Sequence, residues 1–148
     1  MPKLDLDAIP RTNATGYPPE HADRVQGRWF RRLAPPAGLT DFGASHVTLE
    51  PGAWSSQRHW HQDEDELVIM LAGEAVLVDD GGDHPMRPGD IATFPAGEDN
   101  GHVLQNRSAA PCTFVAIGRP AASDCHYPDI DMHSTEGRGF HRKDASDF

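Results

Sequence analysis

Four side chains have the types and the spacing to bind a metal ion: His59, His61, Glu66 and His102. Because side chains alternate between the two faces of a β-strand, His59 and His61 would project from the same face of one strand. Neutral imidazoles together with a carboxylate form a donor set suited to divalent transition metals. The sequence therefore predicts a metal site, provided that the segments carrying Glu66 and His102 fold back towards the first two histidines.

The segments that must position these residues are predicted to be short β-strands separated by Pro and Gly. Residues 79–83 are typical of a hairpin turn, because Asp-Gly and Gly-Gly tolerate positive φ. No segment of ten or more residues has a helical period. Many short strands with regular turns predict an all-β sandwich or barrel. The predicted strands are residues 28–33, 42–50, 54–61, 66–71, 74–78, 91–94, 102–105 and 112–117.

A length of 148 residues favours a single domain with a sizeable core. We expect an irregular N-terminal arm at residues 1–25, which prolines interrupt, and a barrel at residues 26–120. Residues 121–148 form an acidic C-terminal extension with scattered histidines. The extension either meanders along its own chain or crosses to a neighbouring subunit.

The composition excludes several classes of function. The chain has 13 basic and 23 acidic residues and a net charge of −10, which argues against nucleic acid as a partner. The longest apolar run, residues 67–72, is too short to span a membrane. No secretory signal is evident at the N-terminus, so we expect a cytoplasmic location. Cys112 and Cys125 show no metal-type pairing, and we expect both to be reduced thiols.

Two series of residues resemble the motifs of the cupin superfamily, and in particular small single-domain bacterial cupins. The resemblance extends over about residues 43–118, with two extra residues before His102. The first series is Gly52, His59, His61, Glu66 and Gly73, and the second is Gly89, Pro95, Gly97, His102 and Asn106.

This resemblance implies a jelly-roll barrel, also called a double-stranded β-helix. It implies Fe, Mn, Ni or Zn bound by His59, His61, Glu66 and His102, a small organic molecule in the barrel, and a homodimer. Two chemistries remain open: dioxygenase-type oxidation, and sugar-phosphate isomerase or epimerase chemistry. The alternative is a non-catalytic module that binds a metabolite or a metal. The sequence identifies no catalytic residue beyond the metal ligands.

The remaining polar and aromatic residues carry simpler expectations. Asp63, Glu64 and Asp65 are expected in a solvated loop, unless one of them hydrogen-bonds a ligand histidine. Gln57 is predicted on the same strand face as His59 and is expected at the rim of the site, with orientation of a substrate or a water as the alternative. Surface charge is expected for Arg58, Arg87, Arg107 and Arg119, with anion binding as the alternative. His126, His133 and His141 fit no zinc pattern. The aromatic residues Trp29, Phe30 and Trp60 are expected on outward faces that a second copy covers.

Overall fold

The computed structural model describes residues 3–119 and 123–148. It confirms the all-β prediction, although the predicted boundary near residue 120 lies outside the described residues. Two short helices, α1 (Pro19–Ala22) and α2 (Ala34–Ala37), and two 3₁₀ turns (Leu6–Ala8 and Asp23–Val25) precede most of the strands. The strands are β1 (Arg28–Arg32), β2 (Gly43–Leu49), β3 (Trp60–His61), β4 (Glu66–Ala72), β5 (Ala75–Asp79), β6 (Gly82–Met86), β7 (Ile91–Phe94), β8 (Val103–Gln105), β9 (Cys112–Gly118), β10 (Cys125–Tyr127), β11 (Met132–Thr135) and β12 (Gly139–His141).

These strands form three antiparallel sheets. Their orders are β1-β2-β9-β4-β7, β6-β5-β8 and β12-β11-β10-β3. The first two sheets share the main core, in which Leu49, Met70, Leu104 and Phe114 are buried. Among the described residues, strand pairing does not close the three sheets into one barrel, so the architecture is a jelly roll of facing sheets.

The reversal from β4 into β5 depends on Gly73. Its φ is +71°, and a Cβ at this position would lie 2.6 Å from the backbone oxygen of Pro111. A side chain here would therefore meet both an unfavourable conformation and a rigid neighbour. Glycine allows β4 to turn while packed against the start of β9.

Asn106 fixes the turn between β8 and β9. Its buried side-chain amide donates to the backbone oxygens of Leu49 (2.9 Å) and Ala110 (2.8 Å). Its oxygen accepts from the backbone and hydroxyl of Ser108. The asparagine of the second motif is therefore a structural residue of this fold.

The C-terminal extension forms β10, β11 and β12, none of which the sequence revealed. β10 pairs with β3, and Cys125 lies opposite His61 in that register. Cys125, Tyr127 and Met132 form a second, smaller core. The extension therefore contributes directly to the surroundings of the predicted site.

The N-terminal arm packs on its own chain. Thr12 exchanges backbone hydrogen bonds with Phe30 on β1, at 3.0 and 2.9 Å.

The expectation for Gln57 was wrong: its side chain is buried, and its amide donates to the backbone oxygen of His21 at 2.8 Å. The reason is that residues 54–59 are not a regular strand, so Gln57 does not share the face of His59.

The aromatic residues that suggested a dimer interface have neighbours within the chain. The guanidinium of Arg11 lies 4.4 Å from the ring centroid of Trp29. Trp60 stacks on His126 with a centroid separation of 3.9 Å. Phe30 packs against the main core and lines a cavity, so its predicted outward orientation was wrong. These three residues therefore no longer support a homodimer.

Among the described residues, no helix has the length and apolar character needed to cross a membrane.

Candidate metal centre

The predicted ligands are carried by separate segments that meet at one point. His61 is on β3, Glu66 begins β4, and His102 directly precedes β8. His59 and His102 form an isolated β-bridge. The ring of Phe94 stacks on that of His102 at a centroid distance of 3.6 Å, which fixes the plane of the imidazole.

The three imidazoles converge on a single carboxylate oxygen. The Nε2 atoms of His102, His61 and His59 lie 2.8, 3.4 and 3.7 Å from Oε2 of Glu66. Donor atoms bound at right angles to an ion at about 2.1 Å are themselves about 3 Å apart. The separation of His102 from Glu66 matches this spacing, and the separations of His61 and His59 are somewhat longer.

The hydrogen bonding of His59 leaves its Nε2 free for a metal. Nδ1 lies 2.9 Å from the backbone oxygen of Gln57, which only accepts, so Nδ1 carries the proton. The lone pair of Nε2 therefore faces the carboxylate of Glu66 without a proton of its own. Two acceptors that face each other in a buried site are stabilised by a cation, so the residues fit a metal ion.

Burial and mutual contacts shift the pKa values of this cluster. Burial and the neighbouring His102 lower the pKa of His59 to about 4. Burial also acts to lower the pKa of His61, but Cys125 and Glu66 outweigh it and raise that pKa to about 10. Burial acts to raise the pKa of Glu66, but hydrogen bonds to His102 and His61 hold it well below its usual range.

The donors form three overlapping triads. Within each triad the ligand atoms lie within 4.8 Å of one another. Among the described residues, the four predicted ligands do not all meet this limit together. Coordination of one ion by the four together therefore requires a small movement of at least one side chain. The triads are His59, Glu66 and His102; His61, Glu64 and Glu66; and His59, His61 and Cys125.

Glu64 departs from the expectation of a solvated acidic loop. Asp63 and Asp65 are exposed, but Glu64 is only 9% exposed, and its Oε2 lies 3.4 Å from Nδ1 of His61. Burial raises the pKa of its carboxyl group. Gly118 on β9 makes room for this side chain, because a Cβ there would lie 2.6 Å from Oε1 of Glu64. Glu64 thus lies beside Nδ1 of His61, a buried atom that has no hydrogen-bond partner among the described residues.

Cys125 is a site residue that the sequence analysis missed. It is a free thiol, 6% exposed, and its sulfur belongs to the triad with His59 and His61. The lone cysteine of a polar tail gave no signal of this position, which arises from the pairing of β10 with β3. The expectation of free thiols agrees with the structure for both cysteines.

A cavity of about 340 Å³ adjoins the cluster. It is lined by His59, Glu66 and His102, and also by Tyr17 from the N-terminal arm and Arg28 from β1. Burial raises the pKa of Tyr17, so its hydroxyl keeps its proton at neutral pH. The cavity is of a size suited to a small organic molecule.

The arginines considered in the sequence do not line this cavity. Arg58 holds the extension to the hairpin, donating to both carboxylate oxygens of Asp129 at 2.7 and 2.8 Å and pairing with Asp80. Arg107 pairs with Asp83. Arg28 was not singled out, because an arginine on a predicted strand resembles an ordinary surface residue.

The tail histidines form no metal-sized cluster in the part of the chain that the structure describes. His126 stacks on Trp60, and Nε2 of His141 lies 2.8 Å from the hydroxyl of Thr135. Their roles here are packing and hydrogen bonding.

Comparison with known families agrees with this architecture. Residues 45–118 match the model described as "Cupin domain", which is half of the chain. The chain belongs to the cupin superfamily. The match covers all four predicted ligands but not β1, β10 or Tyr17.

The cupin is similar over nearly its whole length to a solved structure from Silicibacter pomeroyi, described as a sugar phosphate isomerase of the cupin superfamily. The two are 46% identical, with 99% of this chain and 96% of the other covered and a TM-score of 0.94. A putative sugar phosphate isomerase from Acidithiobacillus ferrooxidans is 23% identical, with 78% and 76% covered and a TM-score of 0.69, and shows the fold alone.

A curated relative from Thermotoga maritima, an oxalate-binding protein, is 33% identical over 73 residues. The aligned region is 49% of this chain and spans 58% of the length of that relative.

Proposed function

We propose that this cupin binds a divalent Fe, Mn, Ni or Zn ion through His59, His61, Glu66 and His102 and isomerises a small polyhydroxy carbonyl compound. The observation that carries the proposal is the convergence of three imidazole nitrogens on one oxygen of Glu66, beside a cavity of about 340 Å³. Sugar-phosphate isomerase chemistry is favoured by the 46% identity to the Silicibacter pomeroyi protein.

The residues around the cavity have distinct roles in this proposal. A bound ion would act as a Lewis acid towards a carbonyl or hydroxyl oxygen of the molecule in the cavity. The Gln57 backbone oxygen orients His59, and a small movement of the Glu64 carboxylate would let it accept a hydrogen bond from Nδ1 of His61. Tyr17 keeps its phenolic proton and can donate it in a hydrogen bond to an oxygen of the bound molecule. The lining of the cavity also includes the apolar side chains of Phe30 and Leu104.

The experiment begins with metal analysis of protein purified without chelator. Metal-free protein is then reloaded separately with Fe(II), Mn(II), Ni(II) or Zn(II). Each form is incubated in deuterium oxide with a panel of aldoses, ketoses and their phosphates, and followed by proton NMR. Isomerisation will give a new sugar, and deuterium at the carbon next to the carbonyl will show that the hydrogen is transferred as a proton that exchanges with solvent. His61→Ala is the inactive control.

The two other functions give different results in the same experiment. Dioxygenase-type chemistry would consume oxygen with the Fe(II) form and give oxidised products. A non-catalytic binding module would show ligand-dependent stabilisation with no turnover of any compound. Either result would refute isomerisation. The cytoplasmic location and the homodimer remain predictions, and sedimentation at micromolar concentration tests the dimer.

A further inference from the structure

We infer that Arg28 forms an anion-binding subsite in the cavity beside the metal-ligand cluster, so that the bound molecule carries a carboxylate or a phosphate group. The inference rests on the proposed function, because it names the class of molecule that the same cavity accepts. It adds a specificity-determining residue outside the matched cupin domain.

The first observation is that Arg28 has unused hydrogen-bond donors. Its Nη1 donates to the backbone oxygen of Ser55 at 2.9 Å. Its Nε is buried and has no hydrogen-bond partner among the described residues. A guanidinium has five N–H donors arranged in a planar fork that matches the oxygens of a carboxylate or phosphate. Apart from the bond to Ser55, the Nη donors make no hydrogen bond among the described residues, so an anion in the cavity would satisfy donors that the fold leaves free.

The second observation is that Arg28 has no counter-ion among the described residues. The arginine ion pairs there are formed by Arg31, Arg58, Arg107, Arg138 and Arg142. Burial lowers the pKa of Arg28, and the neighbours that oppose this effect are the phenols of Tyr17 and Tyr127, not carboxylates. A partly buried cation without an anion is costly, so a ligand anion would relieve a cost already present in the fold.

The third observation is the position of Arg28 relative to the cluster. Arg28, His59, Glu66 and His102 line the same cavity, together with the hydroxyl-bearing residues Ser45 and Ser56. One small molecule can therefore contact Arg28 with an anionic group while its oxygen atoms face the metal ligands. A neutral sugar would leave the guanidinium unpaired. The cavity thus selects small acids or phosphorylated compounds over uncharged ones.

Binding of simple anions to the Zn(II)-loaded and the metal-free chain tests this inference. The probes are malonate and inorganic phosphate, with neutral malonamide as the uncharged control, measured by isothermal titration calorimetry. Arg28→Gln removes the charge while keeping polar bulk. Arg32→Gln, an exposed arginine on the same strand, is the matched control. We expect Arg28→Gln to weaken the preferred anion at least about tenfold and Arg32→Gln to leave it unchanged.

The two anions distinguish the sources of the negative charge. Tighter binding of phosphate assigns a phosphorylated ligand, and tighter binding of malonate assigns a carboxylic acid. Equal affinity of Arg28→Gln and the wild type would overturn the subsite, as would malonamide binding as tightly as malonate. Metal content is measured on every variant, so loss of the metal site is seen separately from loss of anion binding.

A measurement on the wild-type chain covers the case in which Arg28→Gln fails to fold. The Arg28 Nε–H resonance is assigned in ¹H–¹⁵N spectra of the metal-free and Zn(II) forms, and malonate or phosphate is added. The inference requires a saturable shift of this resonance with the same dissociation constant as calorimetry. An unmoved Arg28 resonance at saturating anion would refute it.

Discussion

His59 and His102 are joined by reciprocal backbone hydrogen bonds: the amide of His59 donates to the oxygen of His102 at 3.1 Å, and the amide of His102 donates to the oxygen of His59 at 2.8 Å. The bridge places two imidazoles side by side, with ring centroids 4.7 Å apart. The longer loop that precedes His102 therefore does not displace its ring. Residues 43 positions apart are thus positioned by hydrogen bonds of the backbone itself.

Substitution of His61 by alanine is expected to lower bound metal at least about tenfold, because a donor atom of the cluster is lost. Metal content after dialysis against a fixed concentration of free Zn(II) measures this effect. His84→Ala is the control, since His84 is exposed and its side chain bonds Asp79 at the hairpin. Unchanged stoichiometry and affinity in His61→Ala would contradict its role as a ligand.

Substitution of Gly118 by alanine is expected to weaken metal binding by about tenfold while the fold is kept. The added Cβ displaces the Glu64 carboxylate, whose flexible end can move, and His61 loses its orienting partner. Gly43→Ala on the paired position of β2 is the matched control, because its Cβ meets only an ordinary contact at 3.4 Å. Equal Zn(II) affinities of the two variants would show that Glu64 does not orient His61.

Substitution of Gly73 by alanine is expected to destabilise the protein by about 3 kcal/mol or more, because a positive φ and a backbone clash act together. Gly52→Ala isolates the cost of the backbone conformation, since φ there is +84° and nothing lies within 4 Å of the added Cβ. That control should cost about 1–2 kcal/mol. Urea denaturation measures both, and similar values would exclude the clash.

The stability of the metal-free protein is expected to fall on both sides of about pH 6.5. His59 has a pKa lowered from 6.5 to about 4, so its contribution is complete above pH 6.5 and is lost as the pH falls towards 4. His61 has a pKa raised from 6.5 to about 10, so its contribution is complete below pH 6.5 and is lost as the pH rises towards 10. Melting temperatures measured from pH 4 to 10 test both limbs. His61→Ala should remove the alkaline limb, and an unaltered profile in that variant would contradict this assignment.

Thiophilic ions are expected to bind the sulfur of Cys125, because a thiolate prefers softer metals. Mn(II) is not expected to bind it. Cd(II) should give a sulfur-to-metal charge-transfer band that disappears in Cys125→Ser. Cys112→Ala, which removes the other buried thiol, should retain the band. Persistence of the band in Cys125→Ser would place the thiolate ligand elsewhere. Mn(II) affinity should be the same in the wild type and in Cys125→Ser.

The sequence predicted those elements whose signals are local. β7 was predicted with its observed bounds, because a turn and Pro95 delimit it. The spacing of the motif residues likewise identified the four side chains that the structure brings together. The strands β10 to β12 have three or four residues each in a polar tail, too short for a period to be visible. They form because β3 offers a free edge.

The sequence analysis missed three residues of the site for one physical reason. Cys125 and Arg28 approach the cluster only through strand pairing and packing between segments far apart in the chain. Glu64 looked like part of a solvated acidic run, and the space that buries it is created by a glycine more than fifty residues later. A local sequence pattern does not show which distant segments pack together, so these contacts could not be predicted from it.

The matched domain and the segments on either side of it supply different residues of the site. Residues 45–118 hold every predicted metal ligand, whereas Tyr17, Arg28 and Cys125 come from outside that range. Two cupins can thus share the same metal ligands and still differ in the molecules that they bind, because their flanking segments differ. An assignment of function that is based on the central motif alone would miss this difference. Grafting both flanking segments onto another cupin offers a direct route to altered selectivity.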